Sequence, residues 1–135
     1  LQALQLVEAR DENVEKLIFL HTGFYIPETM VTINSDIQII GASAGPDIAS
    51  QVIIEGWLDT PVALAEGSQG AYLGWMTVRF APEPEALAAV MAAGNPHALQ
   101  ICDDSTALVE HCVIHSLSNI GAAVYVKGSA ANPKV

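Results

Sequence analysis

Almost every β-prone run in this chain is only three to five residues long, and that brevity constrains the fold more than any other feature. The runs are Leu17-Ile-Phe-Leu20, Met30-Val-Thr-Ile33, Ile37-Gln-Ile-Ile40, Val52-Ile-Ile54 and Val62-Ala-Leu64. They continue with Ala71-Tyr-Leu73, Met76-Thr-Val-Arg-Phe80, Ala98-Leu-Gln-Ile101, Ala107-Leu-Val109, Cys112-Val-Ile114 and Ala123-Val-Tyr-Val126. Gly, Asn, Asp or Pro closes most of these runs, as turns require. Strands this short make poor hairpins, but many of them in regular order build a sheet one turn at a time.

Internal repeats sharpen this reading. Tyr72-Leu-Gly-Trp-Met-Thr-Val-Arg-Phe80 recurs as Leu108-Val-Glu-His-Cys-Val-Ile-His-Ser116, a shift of 36 (108 − 72). Leu99-Gln-Ile101 recurs as Val124-Tyr-Val126, a shift of 25 (124 − 99), and Asn132-Pro-Lys-Val135 starts to repeat the Leu108 run. Ile37-Gln-Ile-Ile-Gly41 is an earlier member of the series. Periods of this size mark solenoids, in which each repeat packs only on its neighbours. The register stacks Ile39, Leu73 and Val109 inward, Met76 on Cys112, and Val78 on Ile114.

Two stretches read as helix. Residues 1–14 carry Leu1, Leu4, Leu6 and Val7 without an intervening Gly or Pro, which suits a short cap helix. Residues 82–94 open with Pro and Glu, continue with strong helix formers and close on Gly94, the start and stop signals of an inserted helix. The expected fold is therefore all-β, a right-handed parallel β-helix (solenoid) with an N-terminal cap helix and one inserted helix. Residues 1–135 form one domain of it, a piece of a longer solenoid, whose open C-terminal edge further coils or another chain would cover.

Composition removes several function classes. Fifteen acids against five Lys and Arg, net charge −10, leave no basic cluster for nucleic acid. Acidic residues, Gly or Pro interrupt each apolar run before membrane-spanning length. The start of the chain lacks the pattern of a signal peptide, so cytoplasm or nucleus is the expected compartment.

Leu17-Ile-Phe-Leu-His-Thr-Gly-Phe-Tyr-Ile-Pro-Glu, followed by Val31-Thr-Ile and Ile37-Gln-Ile-Ile-Gly41, resembles the opening coil of pectin-lyase-like β-helices, with Gly23-Phe-Tyr25 as its turn. Val109-Glu-His-Cys-Val-Ile-His and Gly121-Ala-Ala-Val-Tyr-Val-Lys-Gly resemble the repeats of F-box-only substrate receptors and of SHC SH2-domain-binding protein. That resemblance implies a non-catalytic recognition scaffold with a protein partner, either the substrate-recognition part of an F-box-type ubiquitin ligase or a signalling adaptor. No F-box lies in these residues. The rival reading is a carbohydrate-binding or carbohydrate-active β-helix akin to pectin lyases and esterases.

The chemical candidates are few. Asp103-Asp104 resembles the paired carboxylates of glycoside hydrolases, but Asp-Asp-Ser-Thr is also ordinary turn chemistry, and no Gly-His follows. Where the pectin methylesterase pattern requires an Asp, seven residues beyond Cys112, this chain has Asn119, which can neither attack nor carry a proton. His111 and His115, four residues apart in a strand, stand roughly 13 Å from each other at about 3.3 Å per residue. That is too far for one zinc ion. Neither a metal nor a cofactor is expected, and Cys112 reads as a core residue beside a turn-bordering Cys102. The candidate binding residues are Trp57, Trp75, Asp103, Asp104, His111 and His115; the two Trp are the best of them, since an exposed indole can stack on a sugar or anchor a protein. For Trp75 the default alternative is cover for the inserted helix at Glu85–Ala93. Lys127 reads as solvated, and the remaining acids as dispersed along turns that keep an exposed sheet soluble.

Overall fold

The computed structural model describes residues 16–43, 45–65, 68–94, 96–102, 105–128 and 134–135. Twelve short strands wind through them in three-strand coils. The first coil is β1 (Leu17–His21), β2 (Gly23–Tyr25) and β3 (Val31–Ile33); the second is β4 (Gln38–Ala42), β5 (Val52–Gly56) and β6 (Val62–Leu64). The third is β7 (Tyr72–Gly74), β8 (Thr77–Phe80) and β9 (Leu99–Ile101), and the fourth β10 (Leu108–Glu110), β11 (Val113–Ser116) and β12 (Val124–Val126). Like strands stack into three four-stranded parallel sheets: β1-β4-β7-β10 (sheet A), β2-β5-β8-β11 (sheet B) and β3-β6-β9-β12 (sheet C). The molecule is a right-handed parallel β-helix.

Sequence alternation explains which side chains enter the core, because successive residues of a strand face opposite sides. Ile18, Ile39, Leu73 and Val109 form one inward column across sheet A. Ile54, Val78 and Ile114 form another in sheet B, and Ile33, Leu64, Ile101 and Val126 a third in sheet C. The two shifts of 36 and 25 are the observed registers of Tyr72 on Leu108 and of Leu99 on Val124. Lys134 begins another rung: its N–H donates to Ala107 O, and the N–H of Val109 donates to Lys134 O. Each fully buried Leu, Ile or Val in these columns contributes about 1.5–3 kcal/mol by leaving water.

Between β8 and β9 a 3-10 turn, Pro84–Ala86, leads into α1 (Leu87–Ala93). Gly94 ends it in the left-handed conformation (φ 77°), where its N–H reaches the carbonyls of Val90 and Met91. Val90 is the anchor, fully buried with Phe80 and Ala98 and flanked by Ile114 and Ile120.

Two expectations need correction. Gly23-Phe-Tyr25 is a strand, not a turn: Thr22 alone makes the corner, and Gly23 at once enters the sheet by donating to Gln51 O. Glu55 is no turn acid either; it sits within β5 with 7% of its surface exposed. The expected cap helix over 1–14 lies outside the described residues, and so does the Asp103-Asp104 pair. Among the described residues no helix is long and apolar enough to cross a membrane.

Candidate recognition surface

Trp57 and Trp75 lie on the two sides of sheet B. Trp57 follows β5 at the corner leading to sheet C, and Trp75 lies between β7 and β8 at the corner leading from sheet A. Between them the outward positions of sheet B alternate with the core column. One outward row is Phe24, Ile53, Thr77 and Val113; the next holds Glu55, Arg79 and His115.

That second row contains a charged network with an aromatic roof. Arg79 Nε donates to Glu55 Oε2 in a close ion pair, and the guanidinium lies over the Phe24 ring at 5.6 Å. The indole N–H of Trp57 donates to Glu55 Oε1 at 2.7 Å. Arg79 thereby ties the third coil to both coils before it, while Trp57 is fixed at its polar end and leaves 39% of its surface exposed. Phe24 and Val113, both on the outward row of sheet B, add exposed apolar surface. A ring held by its polar end and open on its apolar body is the form in which aromatic residues anchor protein partners.

At the opposite corner Trp75 and His111 occupy equivalent positions of consecutive coils. Their rings stack with centroids 4.1 Å apart and an interplanar angle of 16°. Both residues adopt left-handed backbone, φ 59° and 53°. That region costs a non-glycine residue roughly 1–2 kcal/mol, which stacking partly offsets. Gly41 makes room beneath, since a Cβ there would overlap the carbonyl oxygen of Trp75. Beside the stack the Tyr72 hydroxyl donates to Glu110 Oε1 at 3.0 Å. Burial, reinforced by the Glu110 carboxylate, raises the Tyr72 pKa above 10.0 and keeps that donor protonated.

The expected contact of Trp75 with the inserted helix does not form. Trp75 lies at the corner between sheets A and B, whereas α1 leaves the corner between sheets B and C. The helix finds its apolar neighbours in Phe80 and Ala98 instead. His111 and His115 are separated by the corner itself: His111 stacks on Trp75, while His115 points out of sheet B beside Arg79. Among the described residues no group of three or more His, Cys, Asp or Glu converges on a metal position. Cys112 packs against the core, and burial raises its thiol pKa, so it stays protonated. Asp103 and Asp104 lie outside the described residues, but the neighbouring Ser105 is buried and bonded to Ser68 Oγ at 2.9 Å.

The Glu55–Arg79 pair is hidden in the sequence because its members stand 24 residues apart, in different coils. Its signal is the register itself: Glu55 and Arg79 are partners one residue beyond Ile54 and Val78.

Similarity to known proteins bears on what such a surface does. The chain is 41% identical to the F-box protein dre-1 of Caenorhabditis elegans. The match runs over 128 residues, 90% of this chain but 14% of dre-1. Neither a protein-family model nor a solved structure matches the chain.

Proposed function

We propose that this β-helix is the substrate-recognition part of an F-box-type ubiquitin ligase, holding a protein partner without performing chemistry on it. The observation that carries this reading is the 41% identity to dre-1 across nearly the whole solenoid. The surface supports it in physical terms. Trp57 and Trp75 are each held by neighbours, so a partner can bury them at little further cost in side-chain order. An intracellular partner, in cytoplasm or nucleus, belongs to the same proposal.

The test is capture from proteasome-inhibited lysate with the full chain as bait, followed by identification of bound proteins and their ubiquitination. A reproducible partner that is enriched in its ubiquitinated form, and whose capture falls at least tenfold with Trp57→Ala or Trp75→Ala, is the expected result. A glycan array run in parallel addresses the carbohydrate reading. Saturable glycan binding lost in the same variants, with no protein captured, would overturn the proposal.

A further inference from the structure

The outward face of sheet C carries a separate cleft that includes neither Trp57 nor Trp75. It has a volume of about 480 Å³ and opens between the end of α1 and the Ile120–Gly121 corner. Met91, Pro96 and Ile120 form apolar walls, while His97, Gln100, Tyr125 and Lys127 bring polar groups; the Gln100 amide donates to Cys102 Sγ and its Oε1 is buried without a described donor. Among the described residues no acid lines it, although the chain carries fifteen acids.

His97 is the fixed part of this cleft. It is 8% exposed, its backbone N–H donates to Thr60 Oγ1 at 3.2 Å, and its ring stacks on Tyr125 with centroids 4.3 Å apart. Its Nδ1 accepts the N–H of Ala122 at 3.0 Å. A ring nitrogen that accepts carries no proton, so the neutral imidazole must hold its hydrogen on Nε2. No described residue accepts that Nε2–H. Burial lowers the His97 pKa from 6.5 and keeps the ring neutral at neutral pH, while the Ala122 bond selects the tautomer.

Lys127 is the second donor. Lys16 pairs with Asp36 and Arg79 with Glu55, but Lys127 has no carboxylate partner among the described residues. A cation without an ion-pair partner and a locked N–H donor, in a cleft with no acid among its described lining residues, ask for one singly charged acceptor. We propose that the cleft binds an Asp or Glu side chain of the protein partner, flanked by apolar residues, through His97 Nε2–H and the Lys127 ammonium. This rests on the protein-recognition reading above. A phosphate, near −2 at neutral pH, is matched by arginine clusters, and the cleft has none.

The probes are three tripeptides, N-acetyl-Leu-Glu-Leu-amide and its Gln and phosphoserine counterparts, titrated into the isotope-labelled full chain by NMR. Saturating shifts are expected at residues 97–101 and 120–127, with the Glu peptide at least fivefold tighter than the Gln peptide. Lys127→Met should abolish that preference. In His97→Asn the side-chain oxygen takes over the Nδ1 position, keeping the Ala122 bond, but the Nε2 donor is gone; the spectrum should stay folded and Glu-peptide binding should weaken about tenfold. Equal binding of Glu and Gln peptides, shifts elsewhere, no shifts, or tighter phosphoserine binding would each overturn the carboxylate assignment. The two proposals fail separately. A captured partner indifferent to Lys127→Met and His97→Asn sinks the cleft alone, whereas tripeptide binding without any captured protein sinks the recognition reading alone.

Discussion

Gly41 is the residue on which the exposed corner rests. Its missing side chain lets the Trp75 backbone pass directly over the preceding coil, and Trp75 can then present its ring to His111. Backbone cannot swing aside as a flexible side chain can. Gly41→Ala should therefore cost about 3 kcal/mol, the upper end of overpacking penalties, measured by urea denaturation. A loss smaller than about 1 kcal/mol, the lower end of the same range, would mean that the corner relaxes. His97 makes a different prediction. Its depressed pKa means that the unfolded chain takes up the proton first as pH falls. The contribution to stability is thus complete above pH 6.5 and is lost as pH drops below that value toward the folded-state pKa. Comparing urea midpoints at about pH 7.5 and 5.5, either side of that window, should show a fall in the parent chain that is smaller in His97→Asn. At this scale the sequence was only partly legible. Trp57 and Trp75 stood out as large apolar side chains beside turns, whereas His97 and Glu55 acquire their roles from partners 25 and 24 residues away.

At the scale of elements, α1 shows how a solenoid accepts an insertion. The helix leaves at a corner, after β8 has finished pairing and before β9 begins, so neither ladder loses its register. Its attachment depends on Val90, fully buried against Phe80 and Ala98. Val90→Ala should lower the local stability of α1 by about 2 kcal/mol, in line with the loss of buried methyl groups. Amide hydrogen exchange is the appropriate measurement: amides across 87–93 should exchange faster while those of β8 and β9 keep their protection. Loss of protection in those strands as well would show that the helix supports the coil. The helix was readable because Pro, Glu and Gly94 mark its ends chemically. Gly23–Tyr25 was misleading because a three-residue strand containing Gly has the composition of a turn; only its neighbour β5 makes it a strand.

For the whole molecule, repetition made the fold legible before any contact was known. The shifts of 36 and 25 aligned inward residues of like size, and those residues are the core columns. Function was less legible because the repeat pattern records how coils stack, not what their outward faces touch. All three sheets run parallel, with hydrogen bonds between successive coils directed along the solenoid axis. A pull on the two ends of the chain therefore loads those bonds in tension, a few at a time, rather than shearing a whole ladder at once. Optical-tweezer traces should show a staircase of small, low-force steps, whereas one abrupt high-force rupture would mean that the coils yield together. A recognition module of this design would offer little mechanical resistance if it were ever drawn, end first, into an unfolding machine together with what it holds.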